Sequence, residues 1–367
     1  MKLNRVVISG GGTGGHIFPA VAIADEIKRR NPDAEILFVG AEGKMEMEKV
    51  PAAGYSIIGL PIAGFQRKLT LSNFLLPFKI LKSMSKARRI LKEFKPEAVV
   101  GVGGYASGPT LKAATWLKIP TLVQEQNSFP GKTNIFLSNS VNSLCTAYEG
   151  LEKFFPAKKI RLTGNPVRKE MVEIEGKRQE ALDYYKLVPT KQTVLIIGGS
   201  LGARTLNRSL VAHLDTINAN TEVQFLWQSG KLYFDQLQAE LKDTLPENVK
   251  LVQFIDRMDL AYAAADVIIS RAGAISVSEL CLIGKPVILV PSPNVAEDHQ
   301  TKNAMALVDK NAALLVKDVD SEKVLIPMVL ELVKDANKRQ ELSVQILKLG
   351  KPNATSDIVN ELEKIVK

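Results

Sequence analysis

The sequence predicts an α/β fold built from two doubly wound domains, each with a parallel β-sheet covered by helices. Short β-branched runs alternate with segments long enough for crossover helices, as parallel strands require. The same plan of strand, glycine-rich turn and helix occurs twice, at residues 6–30 and again at 193–217. A chain of 367 residues can also bury two separate cores.

The predicted strands follow this plan in both halves. In the first half they lie at residues 6–9, 36–39, 98–102, 121–124 and 143–146. In the second half they lie at residues 193–197, 223–227, 249–254, 267–270, 286–290 and 313–316. A Gly-Asn-Pro turn near residue 164 marks the boundary, so we expect an N-terminal domain at 1–162 and a C-terminal domain at 163–340. Helices in 341–367 are expected to pack back on the N-terminal domain.

Composition places the chain among soluble globular proteins. Apolar residues make up 46% and charged residues 24%. No run approaches the roughly 20 apolar residues that span a bilayer, and the N-terminus lacks the pattern of a cleaved signal. We therefore expect a cytoplasmic protein. Cys145 and Cys281 lie far apart in apolar surroundings, which predicts buried free thiols.

The net charge of +9 is concentrated in one stretch. Residues 67–95 contain nine Lys or Arg residues and one acidic residue, Glu93. A uniformly basic surface would suggest nucleic acid, whereas one local cluster suggests a docking patch for an anionic partner. The sequence therefore predicts no nucleic-acid partner.

The first glycine turn lies in residues 9–19 and precedes a helix. Exposed N–H groups at such a helix start favour a phosphate, and the Gly-x-Gly-x-x-Gly pattern of residues 10–15 is typical of dinucleotide-binding turns. An oxidoreductase is therefore one interpretation, with Glu42 as its ribose-binding acid. The unusual residue is His16, which could act as a base or cap the helix.

The second glycine turn, at residues 198–204, places Ser200 and several backbone donors at another helix start. Two such turns suit a ligand in which a diphosphate is flanked by two groups, one for each domain. Ser200 also fits the Gly-x-Ser-x-Gly pattern of a hydrolase, with His213 or His299 as its partner. That interpretation is the less favoured one.

Further polar residues follow predicted strands. Glu279 lies early in a helix after the strand at 267–270, where a carboxylate can bind a ribose diol. Two loops that follow strands of the first half contain the polar residues Tyr105, Glu125 and Asn127. We expect these side chains to contact an acceptor substrate.

A basic amphipathic helix is predicted at about residues 75–94. Apolar residues accompany its cations, which indicates a patch that binds an anionic membrane surface. The alternative is a solvated basic face over a larger core. The residues assigned to this membrane patch are Leu71, Phe74, Leu75, Phe78, Lys79, Lys82, Lys86 and Arg89.

Taken together, these motifs resemble the MurG family, the UDP-N-acetylglucosamine transferases that convert lipid I to lipid II in bacterial peptidoglycan synthesis. The resemblance rests on the order and spacing of residues 11–16, 103–105, 125–127, 164–168, 198–204 and 270–279. It covers nearly the whole chain. One departure from the family is His299, at a position that is often another glutamine.

The resemblance implies a fold of the GT-B type, with two domains facing a cleft, and an inverting hexosyltransferase. Its donor would be UDP-GlcNAc and its acceptor the undecaprenyl-diphosphate-linked MurNAc-pentapeptide. It also implies a role in cell wall biogenesis, cell shape and cell division, a peripheral location on the cytoplasmic face of the inner membrane, and contacts with other cell-wall synthesis proteins.

The resemblance also implies roles for individual residues. The catalytic candidates are His16, Glu125 and Asn127, with Gly104 and Tyr105 on the acceptor side. Residues implied to bind the donor or the transferred sugar are Thr13, Gly14, Gly15, Asn127, Arg168, Ser200, Ile255, Ala274, Ile275, Ser276, Val277, Ser278, Glu279 and Gln300. Within this set Ser200 meets the diphosphate, the backbone at Ile255 reads the uracil, Glu279 holds the ribose and Gln300 contacts the sugar.

The chemical requirements of inverting glycosyl transfer agree with this assignment. Inverting transfer needs a base near the acceptor hydroxyl and stabilisation of the leaving diphosphate. His16 is the candidate base, and helix N-termini can replace a metal ion, so no cofactor or essential metal is expected. Two alternatives remain: another GT-B enzyme acting on a UDP-sugar, such as a glycolipid glucosyltransferase or a non-hydrolysing epimerase, and a basic membrane-docking protein whose nucleotide site only regulates it.

Overall fold

A computed structural model describes residues 2–62 and 76–367. Its backbone contacts divide the chain into two compact units. The first unit runs up to Val167 and includes Lys351–Lys367, and the second is Arg168–Gly350. The division thus falls five residues after the boundary expected from the sequence.

Among the described residues, seven parallel strands form the sheet of the first unit, in the order β3-β2-β1-β4-β5-β6-β7. The strands are β1 (Arg5–Ser9), β2 (Glu35–Ala41), β3 (Ser56–Leu60), β4 (Ala98–Gly101), β5 (Thr121–Glu125), β6 (Ser143–Thr146) and β7 (Ile160–Leu162). The sequence does not predict β3, because this edge strand is half-exposed and lacks a continuous apolar run. The chain order reverses between β1 and β4, and open α/β sheets bind ligands beside such a point.

Helices cover both faces of this sheet. They are α1 (Gly14–Arg30), α2 (Glu46–Ala52), α3 (Leu76–Phe94), α4 (Ser107–Trp116) and α5 (Lys132–Leu137). Short 3₁₀ turns lie at Leu151–Lys153 and Ala157–Lys159. Successive residues of β1 point to opposite faces, so Val6 and Ile8 belong to one apolar cluster and Val7 to another.

The second unit repeats this topology with a parallel sheet in the order β10-β9-β8-β11-β12-β13. Its strands are β8 (Gln192–Ile197), β9 (Val223–Gln228), β10 (Val249–Val252), β11 (Val267–Ser270), β12 (Val287–Leu289) and β13 (Leu314–Leu315). Here the chain order reverses between β8 and β11. The structure confirms the prediction of two doubly wound parallel sheets.

The helices of the second unit are α6 (Lys169–Val172), α7 (Arg178–Tyr185), α8 (Arg204–Val211), α9 (Leu214–Ala219), α10 (Phe234–Glu240), α11 (Met258–Ala264), α12 (Ala274–Ile283), α13 (His299–Val308), α14 (Ser321–Lys334) and α15 (Ala336–Leu347). Short 3₁₀ turns precede α13 at Ala296–Asp298 and α14 at Asp318–Asp320. Helix α15 belongs to this unit, although the sequence grouped it with the last helix of the chain.

The last helix, α16 (Ala354–Val366), belongs to the first unit. Its apolar residues join the cluster that also contains α1. Arg30 of α1 donates to the Ser356 carbonyl oxygen at 2.9 Å and to the Asn360 side-chain oxygen at 2.8 Å. Buried Glu361 accepts a hydrogen bond from the Ser143 hydroxyl at 2.8 Å. The C-terminal segment thereby completes the core of the first unit.

Cys145 and Cys281 are both buried free thiols, which confirms the prediction for them. Burial raises the pKa of each thiol to about 12, so neither is a reactive thiolate at neutral pH. In the described ranges, no helix combines the length and the apolarity needed to cross a bilayer.

Candidate active site

The first glycine turn lies at the carboxyl end of β1, beside the loop that follows β4. The two loops touch, because a Cβ atom placed on Gly104 would lie 2.4 Å from the Gly11 carbonyl oxygen. Gly104 therefore allows the close approach of the two backbones. Tyr105, the next residue, is about half exposed at the same edge of the sheet.

His16 is half-buried in the first turn of α1. Its Nδ1 atom lies 2.9 Å from the Gly11 carbonyl oxygen and 3.4 Å from the Thr13 hydroxyl oxygen. A carbonyl oxygen can only accept, so the hydrogen of the neutral ring is assigned to Nδ1 and the lone pair to Nε2. His16 thus has the tautomer of a base that accepts a proton at Nε2. Gly14 and the exposed Gly15 precede it in the same helical turn.

A carboxylate that the sequence does not predict lies beneath this turn. Glu46, at the start of α2, is only 1% exposed. It accepts hydrogen bonds from the backbone N–H of Gly12 at 2.8 Å and from that of Ala41 at 3.0 Å. The Gly12 N–H is therefore already bound to a carboxylate and is not available to a phosphate.

The dinucleotide interpretation of the first turn is accordingly wrong in this structure. Its proposed ribose-binding acid, Glu42, forms an ion pair with Lys86 at 2.9 Å. The pattern of glycines describes the shape of the turn correctly but says nothing about the acid supplied by α2.

Glu125 is buried, and its two oxygens accept four hydrogen bonds. The donors are the backbone and side-chain nitrogens of Asn127, at 3.0 and 3.3 Å, the Gly131 N–H at 3.0 Å and the Asn134 side chain at 2.7 Å. This geometry favours a role in shaping the loop over the catalytic contact that the sequence predicts. Asn127 is half-buried and held by that carboxylate.

The second glycine turn lies at the carboxyl end of β8, where the second sheet reverses its order. Ser200 is exposed at its tip. The residue beneath this turn is neutral: the Gln228 side-chain nitrogen donates to the Gly199 carbonyl oxygen at 2.8 Å. The Gln228 side-chain oxygen accepts the Ile255 N–H at 3.1 Å. In this structure, then, one group of the backbone around Ile255 that is predicted to read uracil, the Ile255 N–H, is already bonded.

A cavity of about 460 Å³ opens beside the second turn. Its lining joins the N-termini of α8 and α12, both of which favour an anion. The lining side chains include Arg204 and Arg271. The acid among them, Asp318, is bonded to Arg271 at 2.5 Å and to the Thr205 hydroxyl at 2.9 Å. Because Asp318 offsets the charge of Arg271, Arg204 and the two helix N-termini are the groups that favour a diphosphate in this cavity.

Gln300 lines this cavity at the start of α13. Its side-chain oxygen accepts hydrogen bonds from the Ala272 N–H at 3.2 Å and the Ser292 N–H at 2.8 Å. Because these bonds use the oxygen, the group that Gln300 can offer to a ligand is its amide N–H. It would therefore donate to a ligand oxygen.

Glu279 of α12 is buried beside Tyr262, whose hydroxyl donates to the carboxylate at 3.0 Å. Burial raises the pKa of Glu279 to about 7, although the Tyr262 hydrogen bond and the nearby positive charge of Arg168 oppose the rise. Burial also holds the pKa of Tyr262 well above its usual range. Glu279 thus changes charge near neutral pH.

The first turns of α12 contain the rest of the predicted nucleotide-binding segment. Ala274 and Ile275 are half-exposed at its start, and Ser276 lines the cavity. Val277 is buried in the protein, and the Ser278 hydroxyl donates to the Ala274 carbonyl oxygen at 3.0 Å. The segment would therefore contact a nucleotide through its backbone and its first residues.

The structure does not support the hydrolase interpretation. His213 follows the C-terminal end of α8, whereas Ser200 precedes its N-terminal end. A helix of eight residues separates them by about 12 Å. The His213 Nδ1 atom instead lies 3.0 Å from the Ser209 carbonyl oxygen. His299 begins α13, with its Nε2 atom 4.0 Å from a Glu297 carboxylate oxygen.

Part of the predicted membrane patch is visible on α3. Phe78 is 71% exposed, and Lys82 and Arg89 are exposed as well. Lys79 is half-exposed, and Lys86 forms its ion pair with Glu42. The other predicted members, Leu71, Phe74 and Leu75, lie outside the described residues. Leu81, another of the apolar residues that the sequence places beside these cations, is 65% exposed next to Lys82.

Within the described residues, no group of three or more His, Cys, Asp or Glu side chains comes together as a set of metal ligands.

Comparison with known proteins identifies the family. The model of the glycosyltransferase family 28 N-terminal domain matches residues 6–146, and that of the C-terminal domain matches residues 193–359. A relative from Bacteroides fragilis is 55% identical over 363 residues, which cover 98% of this chain and 95% of the relative. That relative is named UDP-N-acetylglucosamine--N-acetylmuramyl-(pentapeptide) pyrophosphoryl-undecaprenol N-acetylglucosamine transferase.

Two solved structures complete the comparison. The UDP-GlcNAc 2-epimerase of Neisseria meningitidis has a TM-score of 0.68 at 15% identity, covers 99% of this chain and 100% of its own, and shares the fold alone. The crystal structure of Acinetobacter baumannii MurG has a TM-score of 0.80 at 31% identity and covers 98% of this chain and 99% of its own. This chain therefore belongs to the MurG family of glycosyltransferases.

Proposed function

We propose that this chain is an inverting glycosyltransferase that moves N-acetylglucosamine from UDP-GlcNAc to the 4-hydroxyl of the MurNAc in lipid I. The product is lipid II, the precursor of peptidoglycan. The observation that carries the proposal is the 55% identity, over 98% of the chain, with a relative named for this transfer. The different chemistry of the two glycine turns supports it.

The first unit supplies the base. The His16 Nε2 atom accepts the proton of the acceptor hydroxyl while the oxygen forms its bond to the anomeric carbon of the donor sugar. The bond from that carbon to the diphosphate breaks at the same time, which inverts the configuration. General-base catalysis of this kind contributes about 10² to 10⁴ in rate. Asn127, Gly104 and Tyr105 line the same edge of the first sheet and contact the acceptor.

The second unit holds the donor. Ser200 and the N-terminus of α8 bind the diphosphate, whose negative charge grows as UDP leaves. Arg168 lies on the same unit and adds positive charge near Glu279. The carboxylate of Glu279 accepts hydrogen bonds from the ribose hydroxyls. Gln300 donates its amide N–H to the sugar.

The test is the dependence of UDP release on the acceptor. Purified protein incubated with UDP-GlcNAc should release UDP only when a polyprenyl-diphosphate-linked MurNAc-peptide is present. Hydrolysis of UDP-GlcNAc without acceptor, or its epimerisation to the 2-epimer, would contradict the proposal. The epimerase remains the second candidate because a protein of that activity shares the fold.

We also propose that the exposed face of α3 docks on the cytoplasmic face of the cell membrane. Phe78 and Leu81 are exposed beside cationic side chains, and each basic residue near an anionic surface contributes about 1 kcal/mol. Replacing Lys79, Lys82 and Arg89 with Glu should release the protein from phosphatidylglycerol vesicles at 0.15 M salt. Lys86 is left unchanged in this variant because its loss would break the ion pair with Glu42.

A control variant carries the same change of charge at exposed lysines of the second unit, namely Lys242, Lys250 and Lys323. It should still co-sediment with the vesicles. Equal co-sedimentation of both variants with the wild type would show that this basic face is only solvated.

A further inference from the structure

The buried carboxylate of Glu46 has no part in the function described so far. It is only 1% exposed and accepts hydrogen bonds from two backbone N–H groups, those of Gly12 and Ala41. Burial of a carboxylate is unfavourable unless such bonds compensate for the lost water. The two N–H groups thus stabilise the carboxylate beneath the first glycine turn.

The backbone around Glu46 is shaped to hold it. A Cβ atom on Gly11 would lie 2.2 Å from the Glu46 Cδ atom, and one on Gly40 would lie 2.6 Å from its Cγ atom. Any side chain at either glycine would displace the carboxylate. Two glycines from separate segments thus leave room for the same acid.

The peptide group between Gly11 and Gly12 links the Glu46 carboxylate to the His16 ring. The Gly12 N–H that donates to Glu46 and the Gly11 carbonyl that accepts from His16 Nδ1 are the two ends of one peptide group. A peptide group is planar, so orienting its N–H also orients its carbonyl oxygen. Hydrogen bonds in series polarise one another, so the carboxylate also strengthens that carbonyl as an acceptor.

We propose that Glu46 is a positioning residue for His16 and acts through the peptide group between Gly11 and Gly12. It holds the carbonyl that keeps the hydrogen of His16 on Nδ1 and the lone pair on Nε2, and it stabilises the imidazolium that forms when Nε2 takes a proton. This inference rests on the proposed role of His16 as the base. It assigns the acid of α2 to the same reaction.

The test uses Glu46→Gln, which keeps the size of the side chain but removes its charge and leaves one oxygen to accept from the two N–H groups of Gly12 and Ala41. We expect a fall in kcat of about tenfold to a hundredfold, as is typical when the group that orients a functional histidine is lost. The dissociation constant for UDP should change by less than about twofold. The matched control is Glu48→Gln on the same helix, where the side chain is exposed and both quantities should stay at the wild-type values.

A spectroscopic readout separates positioning from a general loss of structure. The chain contains three histidines, so ¹⁵N-histidine spectra can follow each ring, with His213 and His299 as internal references. Wild-type His16 should be in the Nδ1–H form at high pH. In Glu46→Gln its signals should move toward a mixture of tautomers while the other two rings stay unchanged.

Three results would overturn the proposal: an Nε2–H ring at His16 in the wild type, an unchanged kcat, or an unchanged tautomer in the variant. If Glu46→Gln does not fold, Glu46→Asp takes its place, a variant that keeps the charge but is one methylene shorter. The same two measurements, of kcat and of the His16 tautomer, then test the proposal. The tautomer measurement needs no turnover. Failure of acceptor-dependent UDP release would therefore refute the transferase while leaving this test intact.

Discussion

The two glycine turns occupy equivalent places in their sheets and share a local backbone shape. Each follows the first strand of its unit at the point where the strand order reverses. Gly12 in the first turn and Gly199 in the second have the same φ, +87°. The groups beneath them differ: the first turn rests on the Glu46 carboxylate, whereas the second rests on the neutral amide of Gln228.

A glycine pattern therefore determines the shape of a turn and not its charge. A carboxylate that binds the Gly12 N–H disfavours a phosphate at that N–H, which supports the role of His16 as the base proposed for the first turn. In the part of the chain that the structure describes, no acid is bonded beneath the second turn. Arg204 and Arg271 line the cavity beside it, and the Asp318 carboxylate there is bonded to Arg271. Four predictions test this difference between the two turns.

The largest effect is expected for His16→Ala. It should lower kcat by about 10² to 10⁴ because it removes the base, while the affinity for UDP stays unchanged. Turnover assays and calorimetric titration with UDP measure the two quantities, and His213→Ala serves as the control. A lost UDP affinity with unchanged turnover at saturation would show that His16 belongs to a donor site.

The second effect concerns an added carboxylate at each turn. Ser200→Asp should weaken UDP binding by about tenfold to a hundredfold, since it places a negative charge beside the diphosphate. Thr13→Asp makes a comparable change on the first turn and should leave UDP affinity within about twofold. Calorimetry with UDP measures both. Equal losses in the two variants would abolish the distinction between the turns.

The third effect is a pH dependence of donor binding. The pKa of Glu279 is about 7 because the carboxylate is buried, so it is protonated below that pH. Ribose hydroxyls donate to the ionised form. The affinity for UDP should therefore fall as the pH drops from 8 to 6, by at most about tenfold per unit below pH 7.

Glu279→Gln is the control for this pH dependence, and in it the UDP affinity should be lower and flat with pH. The contribution of Glu279 to folding stability should change with pH in the opposite direction, because the unfolded chain loses this proton at a lower pH than the folded chain. The contribution of Glu279 to stability falls as the pH rises from its ordinary pKa of 4.5 towards 7. A pH-independent UDP affinity in the wild type would remove Glu279 from the ribose.

The smallest effect is expected for Gln300→Glu. The variant keeps an oxygen for the Ala272 and Ser292 N–H groups but loses the amide donor. The new carboxylate adds negative charge to the cavity that Gln300 lines, so the affinity for UDP should fall as well. The affinity for UDP-GlcNAc should fall by about threefold to tenfold more than that for UDP, which corresponds to one hydrogen bond to the sugar. Calorimetry with both ligands compares them. Equal losses for UDP and UDP-GlcNAc would place Gln300 at the diphosphate instead of the sugar.

Much of the fold was accessible from the sequence because it depends on local patterns. Buried parallel strands produce continuous apolar runs, and turns between strand and helix require glycine. The half-exposed β3 lacked such a run and was not predicted. The domain boundary and the positions of α15 and α16 depend on contacts between distant segments, which no local pattern records.

The site shows the same limit at the level of single residues. The sequence alone determined that His16, Glu279 and Gln300 follow strands of parallel sheets, because strand, turn and helix are each encoded within a few neighbouring residues. Only the tertiary structure decided that Glu46 lies beneath the first turn, that Glu125 holds a loop and that Ser200 is remote from His213. Those roles depend on which charges and donors meet across the fold, since electrostatic and hydrogen-bond energies follow distance in space and not separation along the chain.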